Sequence, residues 1–137
     1  MKILVFGNPL VEIDSLALRI MPKISKLFPK IKFIEADSTE TLQNHGRDLR
    51  ILDVAKNIEE IKIVKFEKDT DMEKLETGKI FSMHDFDLGY NLKILKSLGK
   101  IDSAEIICLP MKMSEEDAVN QIHLILRKWV AHDMHGS

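Results

Sequence analysis

Gly7-Asn8-Pro9-Leu10-Val11-Glu12-Ile13-Asp14, read with the run Ile3-Leu4-Val5-Phe6 before it, decides the fold. Four consecutive apolar residues beside the N-terminus read as a buried strand. Gly tolerates φ > 0, Asn favours turns, and Pro fixes its own φ and lacks an N–H, so the strand stops there. Beyond the turn Leu16, Ile20, Ile24 and Leu27 recur at helical spacing. Asp14 therefore falls where the C-terminal end of a strand passes into a helix, and in open α/β sheets that edge is where ligands bind. A carboxylate there is either a helix cap or a functional ligand. On this stretch alone the cap comes first.

Working outward, the pattern predicts a first helix from Val11 to Phe28, with Arg19, Lys23 and Lys26 on its wet side. Pro22 lies inside it, and an interior proline predicts a kink or a break. Ile31-Lys32-Phe33-Ile34 reads as a second strand ending at Glu35-Ala36-Asp37-Ser38. Asp37 or Ser38 then caps a short helix, Thr39 to Asn44, that Gly46 ends. Leu49 to Val54 is a third strand with Asp53 near its C-terminal end. Glu59 to Phe66 alternates as a half-exposed, antiparallel strand does, with Ile61, Ile63, Val64 and Phe66 as its apolar positions. Residues 67–78 are charged and poor in large apolar groups, and read as a solvated loop. Phe86, Tyr90, Ile94, Leu95 and Leu98 mark another amphipathic helix, ended by Gly99. Ser103 to Leu109 is a last strand closed by Pro110. Ser114-Glu115-Glu116-Asp117 opens the final helix with a hydroxyl cap followed by acids that suit the positive end of the helix dipole. Val119, Ile122, Leu126, Trp129 and Val130 form its buried stripe.

Strands and helices alternate through most of the chain, which implies one α/β domain. The architecture expected is a three-layer α/β/α sandwich around a mostly parallel sheet of about five strands, spanning residues 1–131, with 132–137 a frayed tail. At 137 residues the chain can bury a real core. A net charge of −2 gives no electrostatic case for nucleic acid or a membrane surface. The lone Cys108 rules out an internal disulfide. It reads as a small buried hydrophobe in a strand, and the cytoplasm as the compartment. No apolar run approaches the ~20 residues of a membrane helix, and no signal peptide precedes the first strand.

Three polar groups can meet at one sheet edge: Asp14 after the first strand, Asp53 ending the third, and His84 before a later helix. Two carboxylates and an imidazole suit a borderline divalent ion such as Ni²⁺ or Zn²⁺. Taken singly each has a duller reading: Asp14 caps, Asp53 holds a turn, His84 begins a helix beside Asp85. Asp85 or Asp87 is near enough in sequence to fix the imidazole tautomer. The sequence shows no His-Glu-x-x-His and no phosphate-binding Gly-x-x-x-x-Gly-Lys.

Gly7-Asn8-Pro9-Leu10 after an N-terminal strand, with an acid four residues beyond Leu10, resembles the opening of the hydrogenase maturation proteases. These are endopeptidases that trim the C-terminal extension from the large subunit of [NiFe] hydrogenases. Leu52-Asp53-Val54-Ala55 is similar to that family's strand-ending Asp-Ala element, and Met83-His84-Asp85-Phe86-Asp87-Leu88 to its His motif. The resemblance spans nearly the whole chain. It implies that Asp14, Asp53 and His84 are catalytic and metal-contacting. It further implies that the nickel belongs to the immature hydrogenase subunit and marks it for cleavage, and that the enzyme is a monomer. The chain departs from the family at Glu12-Ile13-Asp14-Ser15-Leu16-Ala17, where Gly-Asp-Asp-Gly-x-Gly is usual, although Glu12 offers a displaced carboxylate. Around His84 the usual Thr and Pro are also missing.

Two other readings compete. A non-catalytic adaptor of the same fold, holding a hydrogenase subunit, is motivated by the lost glycines. A phospho-acceptor receiver domain would use Asp53 with Mg²⁺. Against it, the first acid lies behind Gly-Asn-Pro rather than at the strand end, and no helix separates Leu49–Val54 from Glu59–Phe66. His132 and His135 close the chain three residues apart, as a polar tail or a weak metal pair. Met111 and Met113 flank Lys112 after the last strand, either packing there or lining an apolar groove for a peptide.

Overall fold

The computed structural model describes residues 1–7, 15–36, 41–66, 81–82 and 88–135. The expectations for Asn8 to Asp14, for the cap at Asp37 or Ser38, for the loop at 67–78 and for His84 to Asp87 lie outside those residues.

Asp48–Lys56 (β3) and Ser103–Pro110 (β6) form the centre of the sheet, in parallel register from Asp48 opposite Ser103 to Ala55 opposite Pro110. Ile51 to Ala55 and Ile106 to Pro110 are buried without a break, as expected for parallel strands covered on both faces. Lys2–Phe6 (β1) lies on the other side of β3, also parallel, and Lys32–Ala36 (β2) pairs parallel with β1 at the edge. Lys62–Phe66 (β4) runs antiparallel along the far side of β6. The order β2-β1-β3-β6-β4 is joined by a two-residue strand, Phe81–Ser82 (β5), antiparallel to the end of β3. The sheet is thus mostly parallel and the fold α/β. β3 and β4 are consecutive in sequence but not neighbours, because β6 inserts between them. Residues 57–61 step across two strand spacings, ~9.5 Å, with Asn57 in the left-handed region at φ 63°. Asn adopts that conformation more readily than other residues with a Cβ.

Leu16–Leu27 (α1) and Glu115–His135 (α3) cover one face of the sheet. Leu88–Ser97 (α2) is the described helix on the other. α1 buries Leu16, Ala17, Ile20 and Ile24, whereas Leu27, expected in the stripe, is half exposed. It runs unbroken through Pro22. The proline stands on the exposed side, where its ring meets solvent. α2 buries Leu88, Leu92 and Leu95, at i, i+4 and i+7. Of the stripe read from the sequence, Leu95 is buried as expected, Ile94 and Leu98 are exposed, and Phe86 and the side chain of Tyr90 lie outside the described residues. Both spacings are helical, and the sheet selects the leucine set. Gly99 ends the helix at φ 70°. Gly46, at φ 124°, ends a 3₁₀ turn, Leu42–His45, where a short helix was expected.

α3 begins as its sequence predicts: the Asp117 amide donates to Ser114 Oγ at 3.1 Å, and three acids occupy the first turn. Its far end runs on as helix to His135, through residues that the sequence reads as a tail. Arg50 on β3 reaches it, donating to both carboxylate oxygens of Asp133 at 2.7 and 2.8 Å and lying 5.0 Å from the Trp129 ring centroid. A bidentate guanidinium–carboxylate pair stacked on an indole holds the last turns against the sheet.

The choice of face on α2 is testable by urea unfolding. Leu92→Ala should cost about 2–5 kcal/mol, as for other fully buried leucines. Leu98→Ala should stay within about 0.5 kcal/mol.

Candidate functional site at the C-terminal edge of the sheet

β1 continues outward to β2 on one side, while β3 connects to the other side through β4, β5 and α2 to β6. The C-terminal ends of β1 and β3 therefore bound a topological switch point, where open α/β sheets bind ligands. Asp53 lies near that end of β3. Its side chain is 3 % exposed, in a strand whose neighbouring residues are apolar. Alternation puts it on the α2 side with Ile51 and Ala55, while Leu52 and Val54 face α1 and α3. Its Oδ1 accepts the Val54 amide at 2.8 Å. A carboxylate inside a continuous buried run is costly to desolvate and contributes nothing to apolar packing.

Cys108 stands opposite Asp53 in register on β6. It is buried, and its thiol is pushed up to about 12, first by desolvation and then by the Asp53 charge. The thiol stays protonated, which agrees with the reading of Cys108 as a small core residue and not a nucleophile.

β5 brings a second segment to this edge. Phe81 pairs with Lys56 and Ser82 with Ala55, so β5 runs towards Asp53. The next described residue, Leu88, is buried in the core on the α2 side. His84 lies between these fixed points in sequence and is itself outside the described residues. Asp14, also outside them, lies between Gly7 at the end of β1 and Ser15 at the start of α1. Of the three expected site residues, the structure describes Asp53. Both flanks of each of the other two are at or beside the same edge. Among the described residues no three His, Cys, Asp or Glu side chains are grouped to hold a metal ion. Any metal site at this edge would draw on residues outside those described.

Ser15 and Ala17 replace two glycines of the motif that the opening resembles. Ser15 has φ −102° and Ala17 lies within α1, so neither position demands a left-handed backbone. Both are buried. Ser15 does not cap α1 with its side chain; its hydroxyl instead accepts from Arg19 Nε at 3.0 Å, and Arg19 also pairs with Glu115 at 3.1 Å. The sequence reading placed Arg19 only on a wet face. A serine four residues before an arginine at a helix start was the available signal. Met111 and Met113 are half-buried against the core shared by α1 and α3, which supports packing over an open groove.

A second cleft, about 520 Å³, lies at the opposite edge and is lined by Lys2, His45, Asp48, Arg50, Glu105 and Asp133 among others. Arg50 is committed to Asp133, and Asp48 accepts the Ser103 hydroxyl at 2.7 Å. It sits at the N-terminal ends of the strands, away from the switch point. Among the described residues no helix is long and apolar enough to cross a membrane.

Comparison with solved structures was informative on this arrangement. A [NiFe] hydrogenase maturation protease, HybD from Thermococcus kodakarensis, superposes with a TM-score of 0.64 at 21 % identity, covering 94 % of this chain and 99 % of that one. The fold is that of the hydrogenase maturation proteases. A hydrogenase 2 maturation peptidase from Thaumarchaeota archaeon SCGC_AB-539-E09 gives 0.51 at 18 % identity, over 100 % of both chains. An uncharacterized protein from Wolinella succinogenes gives 0.59 at 13 % identity, over 95 % of this chain and 96 % of the other. No family model and no curated protein sequence matches.

The Cys108 thiol gives a pH signature. Its folded value is raised above the 9.0 of a free thiol to about 12, so the folded state keeps its proton after the unfolded chain has lost it. That contribution is fully present below pH ~9 and is lost as pH rises towards ~12, at up to about 1.4 kcal/mol per pH unit. Wild type should lose stability over this window relative to Cys108→Ala, measured by urea unfolding. Native Cys108 should also resist iodoacetamide at pH 8 and react once unfolded.

Proposed function

We propose that the protein is an endopeptidase that removes the C-terminal extension of a [NiFe] hydrogenase large-subunit precursor, with Asp14, Asp53 and His84 as its working residues. The observation that carries the reading is the buried Asp53 at the switch point, with β5, two residues before His84 in sequence, running towards it. The fold shared with HybD and the hydrogenase 2 peptidase supports it, as do the three motifs quoted above.

In this reading nickel arrives within the precursor as part of the substrate. Two carboxylates and a neutral imidazole from the protein add to the ligands that the precursor already supplies, and oxygen and nitrogen donors suit Ni²⁺. Recognition thus depends on the metal being in place, and the peptide to be cut is brought to the same edge. Hydrolysis adds water across the C–N bond: a base takes a proton from water, and the departing amine receives one. The carboxylates and imidazole are the groups at this edge able to carry that proton.

The adaptor reading rests on the departures at Ile13, Ser15 and Ala17. Ser15 and Ala17 sit in ordinary backbone conformations, so the lost glycines need not have changed the fold, which the two readings share. The receiver reading, with Asp53 as phospho-acceptor, meets a side chain only 3 % exposed.

The test is incubation with nickel-loaded and nickel-free precursor, followed by intact mass. Cleavage is expected for the loaded precursor alone. Asp53→Asn and Asp14→Asn should abolish it, a loss of at least ~10²-fold, and His84→Ala should weaken Ni²⁺ binding without lowering the melting temperature. Equal cleavage of both precursors would remove the nickel-recognition mechanism. Tight binding without cleavage under any metal condition would leave the adaptor.

A further inference from the structure

The contacts around Ser15 assign a role to a residue outside the three. We infer that Arg19 is a positioning residue, which fixes the chain entering α1 against the start of α3; for catalysis the inference rests on the reading above. Arg19 spreads its guanidinium between two elements. Nε donates to Ser15 Oγ at 3.0 Å, and Nη1 donates to Glu115 Oε2 at 3.1 Å. Ser15 also gives its backbone carbonyl to the Arg19 amide at 2.8 Å. One residue therefore holds Ser15 through both side chain and main chain, and Ser15 is covalently joined to Asp14.

Glu115 is a firm anchor for this fork. It is the first residue of α3, where its charge suits the helix dipole, and it receives Lys23 at 3.7 Å as well. α3 in turn follows β6, the strand beside β3. The fork links the segment after β1 to the segment after β6, one on each side of Asp53 on β3. The side chains of Arg19 and Glu115 are 39 % and 37 % exposed, so the pair contributes little to stability. Its value is geometric: a planar fork serves two acceptors in fixed directions, which an ammonium does not. Misplacing a catalytic group by about 1 Å costs on the order of 10²-fold in rate.

Hydrogen exchange read by mass spectrometry tests the positioning itself, and cleavage of nickel-loaded precursor tests its use. In Arg19→Ala the peptide covering residues 7–15 should exchange about tenfold faster, while peptides from β3 and β6 stay unchanged. The kcat should fall ~10-fold or more with KM for the precursor held within about twofold. Arg19→Lys should fail to rescue either readout. Glu115→Gln, which removes the charge but keeps the shape, should give an intermediate effect, and serves if Arg19→Ala does not fold. Unchanged exchange over residues 7–15, or full rescue by Lys, would overturn the inference. A wild-type protein that cleaves no precursor would instead sink the endopeptidase reading, and the exchange result would still decide the role of Arg19.

Discussion

The parallel ladder between β3 and β6 is the constraint on which the rest depends. Both strands are buried on both faces, so helices must cover the sheet on either side, and no polar side chain belongs there without a use. α1 and α3 satisfy one face, and α2 with its leucine stripe serves the other. Within its unbroken buried stretch, Ile51 to Ala55 opposite Ile106 to Pro110, Asp53 is the charged exception, and it stands at the end where the connections diverge. Cys108 beside it marks how dry the position is: the same surroundings that keep its thiol protonated would strengthen any interaction the carboxylate makes.

The two ends of the sheet divide the labour. At the N-terminal edge stand two charge pairs, Arg50 with Asp133 and Arg47 with Asp102. Those pairs fasten the last helix and the loop before β6. Near the C-terminal edge stands Asp53, on β3 and buried. Stability devices and candidate chemistry thus occupy opposite rims of one sheet, the division expected for an α/β fold.

Much of this was legible in the sequence. The strands around Leu4, Ile51 and Ile107, the antiparallel character of Lys62–Phe66 and the Ser114 cap all follow from period, composition and cap chemistry. What failed did so for physical reasons. Two stripes on α2 have equally helical spacing, and only contact with the sheet chooses Leu92 over Ile94. Asp133 reads as part of a polar tail because the residue it pairs with, Arg50, is 83 residues away in sequence. The Asp53 position was readable as a strand-end acid, but its burial and its pairing opposite Cys108 needed the strand order. Arg19 was passed over because a charged residue on a helix reads first as a solvated one.

The insertion of β6 between β3 and β4 has a consequence for how the chain can be made. β3 and β4 are complete by residue 66, yet the strand that both must pair with begins at Ser103. Nearly forty residues must be added before either can close its hydrogen bonds on that side. During synthesis the nascent chain therefore carries two open strand borders, one of them along the largely apolar run from Ile51 to Ala55. Borders of that kind invite wrong pairing. The last quarter of the sequence, from Ser103, is thus a built-in completion step: the central seam of the sheet forms late, across a long loop whose closure costs entropy.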